Sequence, residues 1–312
     1  YKFIPINNFE IKEDILSYEK YEGEAIDTGE RIKGIQKQIS LADIAFPLSF
    51  KDKEIIKESG QLKFKDISGK EISLALPDLE KQIRSEHIIQ KTLYLGSDKY
   101  GRSLLSRLIL GLRISLLVGL IAVLIALTIG IALGALAGYF GGRVDDLILL
   151  LINTVWSIPT LLLVFAIVLA LGRGIGIIFL AVGLTMWVDV ARIVRGQVMA
   201  LKEIQFVEAA KSMGFQSGRI IFKHILPNVL GPVMVIAAST FATAILIEAG
   251  LSYLGFGIQP PTPSWGTMLN ENYGYAISGK PFLALIPAFA IMSLVLAFNL
   301  VGNGLRDAMD VY

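Results

Sequence analysis

The chain has 312 residues, 54% of them hydrophobic and only 18% charged, and a mean hydropathy of +0.61 excludes a soluble domain of this length. A formal net charge of +2 is too small to imply a nucleic-acid partner. The absence of cysteine excludes disulfides, thiolate nucleophiles and cysteine-ligated metals.

Charge is unevenly spread. The first 100 residues hold 16 Lys and Arg and 18 Asp and Glu, which leaves 13 and 9 for the other 212. Residues 1–95 therefore read as a small soluble α+β head. Gln61–Leu76 alternates apolar and polar residues around Ser68-Gly69, the pattern of a hairpin, whereas Phe9–Lys20 has no clean period. Between Tyr100 and Arg113, Leu104, Leu105, Leu108, Ile109 and Leu112 recur at helical spacing, so residues 96–113 are expected to lie in a membrane interface as an amphipathic segment.

Residues 114–312 hold five apolar stretches, Ile114–Gly138, Leu147–Leu171, Ile175–Val194, Val229–Gly257 and Phe282–Gly302. Each supplies the roughly 20 residues that cross a hydrocarbon layer. The fold class expected is an all-α polytopic membrane protein carrying the α+β head. Gly130, Gly134 and Gly138 form a ridge that lets another helix approach closely. Pro159 and Pro287 are expected to kink the second and last spans.

Two connections are long. Arg192–His224 carries Arg192, Arg195, Lys202, Lys211, Arg219 and Lys223 against Glu203 and Glu208, whereas Ile258–Pro281 carries only Lys280 and Glu271. Basic residues of short loops are retained in the cytoplasm, so the region 195–228 and the C-terminus are expected inside and residues 1–113 outside. Lys99, Arg102, Arg107 and Arg113 run against that assignment. An external head followed by five spans also leads to the expectation of a sixth span upstream of Tyr1.

Within residues 195–228 a helical run through Glu208, Ala209 and Ala210 stops at Gly214, and a second run, Ser217–Leu226, stops before Pro227-Asn228. Such a pattern suits a short helix-turn-helix on the membrane surface. Three Pro in five residues, Pro260, Pro261 and Pro263, fix an extended path before Trp265; this segment reads equally as a rigid loop with an interfacial Trp and as an external docking surface or gate. Asp189 and Glu248 fall inside apolar spans, where a carboxylate costs about 2.5–3.5 kcal/mol at the centre and so faces protein or water. Both, with Pro159, are candidates for the pathway or a gate; Asp189 also has Arg192 three residues on as a partner. Around Gly69-Lys70 the spacing of a phosphate-binding loop is absent. His87 and His224 are the only histidines, which argues against a metal site or a histidine-based triad.

Four segments together resemble one family. Glu208-Ala209-Ala210, three residues, Gly214 and then Ile221 to Pro227 resemble the coupling loop of permeases of ATP-driven (ABC) importers. Leu95–Arg102, Gln259–Leu269 and Gly304–Ala308 resemble the oligopeptide and dipeptide branch, which also includes nickel importers. The resemblance implies a type I importer permease fold in a bacterial inner membrane. It implies as partners a second homologous permease, two ATPase subunits that bind ATP and magnesium, an extracytoplasmic solute-binding protein and a peptide. No cofactor and no catalysis are then expected in this chain. A nickel or other small-solute permease, and a secondary transporter needing no ATPase, are the alternatives.

Overall fold

Side-chain alternation organises the first of the two units into which the chain divides, residues 1–105 and 106–312. The computed structural model describes residues 3–22, 32–48, 55–58, 60–277 and 281–309, which leaves Lys280 outside the described residues. β1 (Ile6–Lys12), β2 (Ile15–Lys20) and β3 (Gln36–Ser40) form one antiparallel sheet, followed by the short helix α1 (Leu41–Ala45). β4 (Ile56–Glu58), β5 (Gln61–Lys65) and β6 (Glu71–Ala75) form a second, and α2 (Leu76–Gln82) runs on into a π-helical turn, Ile83–His87. In β5, Leu62 and Phe64 point inward and the three residues between and beside them outward, because successive side chains of a strand take opposite faces. They join Leu16, Tyr18, Leu41, Leu79 and Ile83 in one core. The hairpin read from Gln61–Leu76 is present. A second hairpin, β1–β2, left no alternation in the sequence because β1 has no buried residue on either face.

Unit two is helical. α3 (Leu104–Phe140) is a single helix of 37 residues. Residues 104–113, expected as a separate interfacial segment, are its first three turns; they contain no proline and mostly good helix formers, so nothing interrupts the helix there.

α4 (Gly142–Trp156) and α5 (Thr160–Leu171) meet at an 88° bend. The expected kink at Pro159 is thus a corner between two helices. Proline supplies no N–H and drives Ile158 out of the helical region, and the Ser157 hydroxyl donates to the Thr154 carbonyl at 2.8 Å.

α6 (Ile175–Lys202) follows, then α7 (Gln205–Ser212) and α8 (Ser217–Ile220). A π-helical turn, Ile221–Ile225, joins α8 to α9 (Leu226–Tyr253). The second run of the loop was expected to stop before Pro227, but the helix passes straight through it. Pro227 lies in the first turn of α9, where a missing N–H costs least, and the wider π turn just before it relaxes the clash with the preceding carbonyl. α10 (Trp265–Ile277) and α11 (Phe282–Met309) complete the unit, and Pro287 lies within the continuous α11.

Among the described residues, four helical stretches are long and apolar enough to cross a membrane: α3, α6, Ser217–Tyr253 and α11. A fifth arises if α4 and α5 count as one broken span. α6 is the most enclosed of the four and α11 the least. The glycine ridge explains part of this enclosure. A Cβ at Gly130 would sit 2.6 Å from Val190, one at Gly134 2.6 Å from the Ala191 carbonyl oxygen, and one at Gly138 2.7 Å from that of Arg195. The backbones of α3 and α6 therefore touch along three consecutive turns.

Candidate functional site

The connection between α6 and α9 is packed onto both helices. Val207 and Ala210, three residues apart on α7, are buried, while Phe206, Glu208 and Ala209 are exposed. Val207 and Ala210 join Val194 and Val198 of α6 and Ile220, Ile221, Ile225 and Val229 in one apolar cluster. α7 ends in a double hydrogen-bond cap, Phe215 N–H to the Ala210 carbonyl at 3.2 Å and Gly214 N–H to that of Lys211 at 2.9 Å. The cap demands a left-handed residue, and Gly214 supplies it with φ +77°. Phe215 then turns back, stacked 6.0 Å from His224 and with the Arg219 guanidinium 4.3 Å from its ring centre.

Of the residues singled out here, Glu208, Ala209, Gly214 and Pro227 are exposed and Ala210 is buried. The sequence reading missed the large apolar side chains beside them. Ile204, Phe206, Met213 and Phe222 are all exposed, and hydropathy could not separate them from buried neighbours such as Val207.

Two turns before α6 ends, Arg195 grips Asp145 of α4 with Nε to Oδ1 at 2.5 Å and Nη2 to Oδ2 at 2.6 Å. Such a two-pronged pair fixes orientation as well as distance. The Asp145 carboxyl and the Arg195 guanidinium are 50 residues apart, so no local pattern announced them. One turn earlier, Arg192 donates to the Asn153 carboxamide at 3.0 Å and lies 3.9 Å over the Trp156 ring. It does not pair with Asp189, as one reading of the sequence had it. The Asp189 side chain is exposed on α6, with no hydrogen bond or ion pair to the described residues.

At the other end of the unit, where α3 begins and α9 ends, Trp265 is 4% exposed. Its indole N–H donates to the Leu108 carbonyl at 2.9 Å, and its ring lies against Gly111, where a Cβ would come within 2.6 Å. Trp265 therefore does not share a surface with Pro260 and Pro261, which are exposed; Pro263 is half-buried. A buried indole needs a hydrogen-bond acceptor, and the first turns of α3 provide one. Arg107 and Glu271 form a mostly buried pair at 2.6 Å. In unit one, Arg102 meets Asp98 at 2.7 Å. Two of the four basic residues that conflicted with the orientation rule thus have carboxylate partners.

Glu248 is completely buried. The Ser252 hydroxyl donates to its Oε1 at 2.6 Å and itself accepts from the Ile258 N–H at 3.1 Å. The carboxyl group faces protein, not an open channel. Among the described residues no group of three or more His, Cys, Asp or Glu is placed to hold a metal ion.

Comparison with known proteins places this geometry. Residues 130–310 match the family described as "Binding-protein-dependent transport system inner membrane component". The oligopeptide transport system permease protein OppC of Bacillus subtilis (strain 168) is 40% identical over 220 residues, 70% of this chain and 72% of that protein. The dipeptide transport system permease protein DppC of Alkalihalophilus pseudofirmus is 43% identical over 217 residues, 70% and 71% of the two chains. The glutathione transport system permease protein GsiD of Pectobacterium atrosepticum is 41% identical over 217 residues, 70% and 72% of the two. Among solved structures, the inward-facing MetNI methionine ABC transporter superposes with a TM-score of 0.53 at 23% identity, over 65% of this chain and 96% of that one, which shows a shared fold. On these matches, the chain belongs to the family of inner membrane components of binding-protein-dependent transport systems, and its role is that of a permease.

Proposed function

We propose that the chain translocates peptides as one permease of an ATP-driven importer. In this reading residues 1–113 and the 254–281 connection face outside and the 203–228 lever faces the cytoplasm, as the basic residues of that loop favour. The lever carries the proposal. α7 and the Met213 that follows it present Phe206, Glu208 and Met213 to solvent, while Val207 and Ala210 bind α7 to the same core as α6 and α9. A partner that moved α7 would move two spans with it, because a close-packed apolar core transmits displacement instead of absorbing it.

The mover would be a pair of ATPase subunits carrying ATP and magnesium, acting on this chain and a second homologous permease. An extracytoplasmic binding protein would deliver the peptide. ATP-driven closure of the ATPases would push α7, open the bundle outward and admit the peptide, and hydrolysis would reset it. The peptide assignment is supported by relatives above 40% identity that are named for oligopeptides and dipeptides.

Uptake of a defined mixture of di- to hexapeptides by cells with and without this gene, followed by mass spectrometry of the medium, tests it. Selective loss of peptide consumption is the expected result. Unchanged consumption in cells lacking any second peptide importer overturns the substrate and moves it to nickel or another solute.

A further inference from the structure

From Thr185 to Ala191 every residue of α6 is buried except Asp189, whose side chain is exposed and has neither hydrogen bond nor ion pair to the described residues. This opening follows from the lengths of the neighbouring helices. α5 and α6 are joined by residues 172–174, pack on one another and share an apolar cluster that includes Val164, Val168, Ile178 and Val182. With 12 residues against 28, α5 runs about 18 Å along the roughly 42 Å of α6, so it covers no more than about the first 12 residues. Beyond that reach, α3 lies against Val190 and Val194, and α4 against Trp187, Val188 and Ala191. The face left over is Asp189, Ile193, Gly196 and Ala200, all exposed and spaced by four, three and four residues. A Cβ on Gly196 would meet nothing within 4 Å, so this face is open from Asp189 toward the Lys202 end of α6.

We propose that Asp189 receives the α-ammonium group of the translocated peptide, an inference that rests on the peptide-importer reading above. A carboxylate that faces lipid in mid-span is costly, so such a group faces water or a polar partner. Its nearest candidate in the chain is drawn away. Arg192, at i+3 on α6, is spaced to pair with Asp189, but α4 holds that guanidinium through the Asn153 carboxamide at 3.0 Å and the Trp156 ring at 3.9 Å. The arrangement leaves a negative charge unneutralised on an open face. A peptide carries the matching cation at one fixed place, its N-terminus, whatever its side chains are. The N–H donors of that ammonium group meet the carboxylate oxygens in charge-assisted hydrogen bonds. Gly196 and Ala200, the small residues further along the same face, leave room for the rest of the peptide. Recognition at Asp189 is therefore of the backbone terminus and not of sequence.

The test uses the assembled complex in nanodiscs, without nucleotide or binding protein, titrated with radiolabelled trialanine and with its N-acetylated form. The unmutated complex is expected to bind trialanine roughly tenfold more tightly, the scale of one charge-assisted hydrogen bond. Asp189→Asn should bind both forms at the weaker affinity, and Asp189→Glu should keep part of the preference. A merely structural role would lower both affinities together. Asn153→Ala, which releases Arg192 to neutralise Asp189, should shrink the preference. Equal binding of the two forms by the unmutated complex, or a preference that survives Asp189→Asn, would overturn the contact. Loss of the second permease from the Asp189→Asn complex would overturn it too, by giving the carboxylate to a cation of that subunit. Peptide consumption by cells keeps the two readings apart. Consumption that depends on this gene, with no N-terminal preference in nanodiscs, sinks the contact alone, whereas consumption unchanged by loss of the gene sinks the peptide reading and the contact with it.

Discussion

Gly214 sets the turn between α7 and α8 on which the proposed lever depends. Space is not the constraint, since a Cβ there would meet nothing within 4 Å. Conformation is: φ +77° costs an L-residue about 1–2 kcal/mol, and an aspartate would add a charge beside the exposed face of α7. Gly214→Asp should abolish transport while leaving membrane insertion intact, and wild-type uptake would refute the lever. At the far end of the same device, removing one partner of Arg195–Asp145 strands a half-buried charge. Asp145→Asn should lower stability by about 2–3 kcal/mol, short of the 3–5 for a fully buried pair. Swapping the two residues should restore part of it, read as the melting temperature of the purified complex.

Asp66 shows acid sensitivity of a local kind. The Ser68 hydroxyl, then the Lys70 N–H, holds its carboxyl below the usual aspartate range. A lowered folded value means that its contribution is present above the unfolded value and fades as pH falls through the folded one. The protection of amides in the β5–β6 turn, measured as exchange relative to the intrinsic rate at each pH, should therefore fall on acidification, and Asp66→Asn should remove that dependence.

Among elements, the α3–α6 contact is the one most exposed to a single change. A leucine at Gly134 must displace the Ala191 carbonyl and Val194, and backbone cannot yield as a side-chain tip does. Gly134→Leu should cost at least the roughly 1–3 kcal/mol typical of overpacking and lower the yield of folded protein in detergent. A variant that melts like the original would show that the helices do not meet there. The ridge was legible because spacing alone defines a helix face. The prolines were legible only in part: residue type announced a disturbance at Pro159 and Pro227, but one became an 88° corner and the other is absorbed by a π turn. A proline states which hydrogen bond is lost, and the packed neighbours decide how the chain accommodates the loss.

For the whole molecule, apolar length and composition were enough to give the helical class, the small α+β head and the loop with its Gly214 turn. These follow from rules that act within a few residues: helical period, transfer of apolar side chains from water, and left-handed turns that favour glycine. Tertiary structure alone decided what each polar residue does. Trp265 became a bolt on α3, 157 residues away, Arg192 turned to α4 and not to Asp189, and Glu248 was enclosed beside Ser252. Each outcome depends on which distant group offers a hydrogen bond where water is excluded, and sequence neighbours carry no record of that partner.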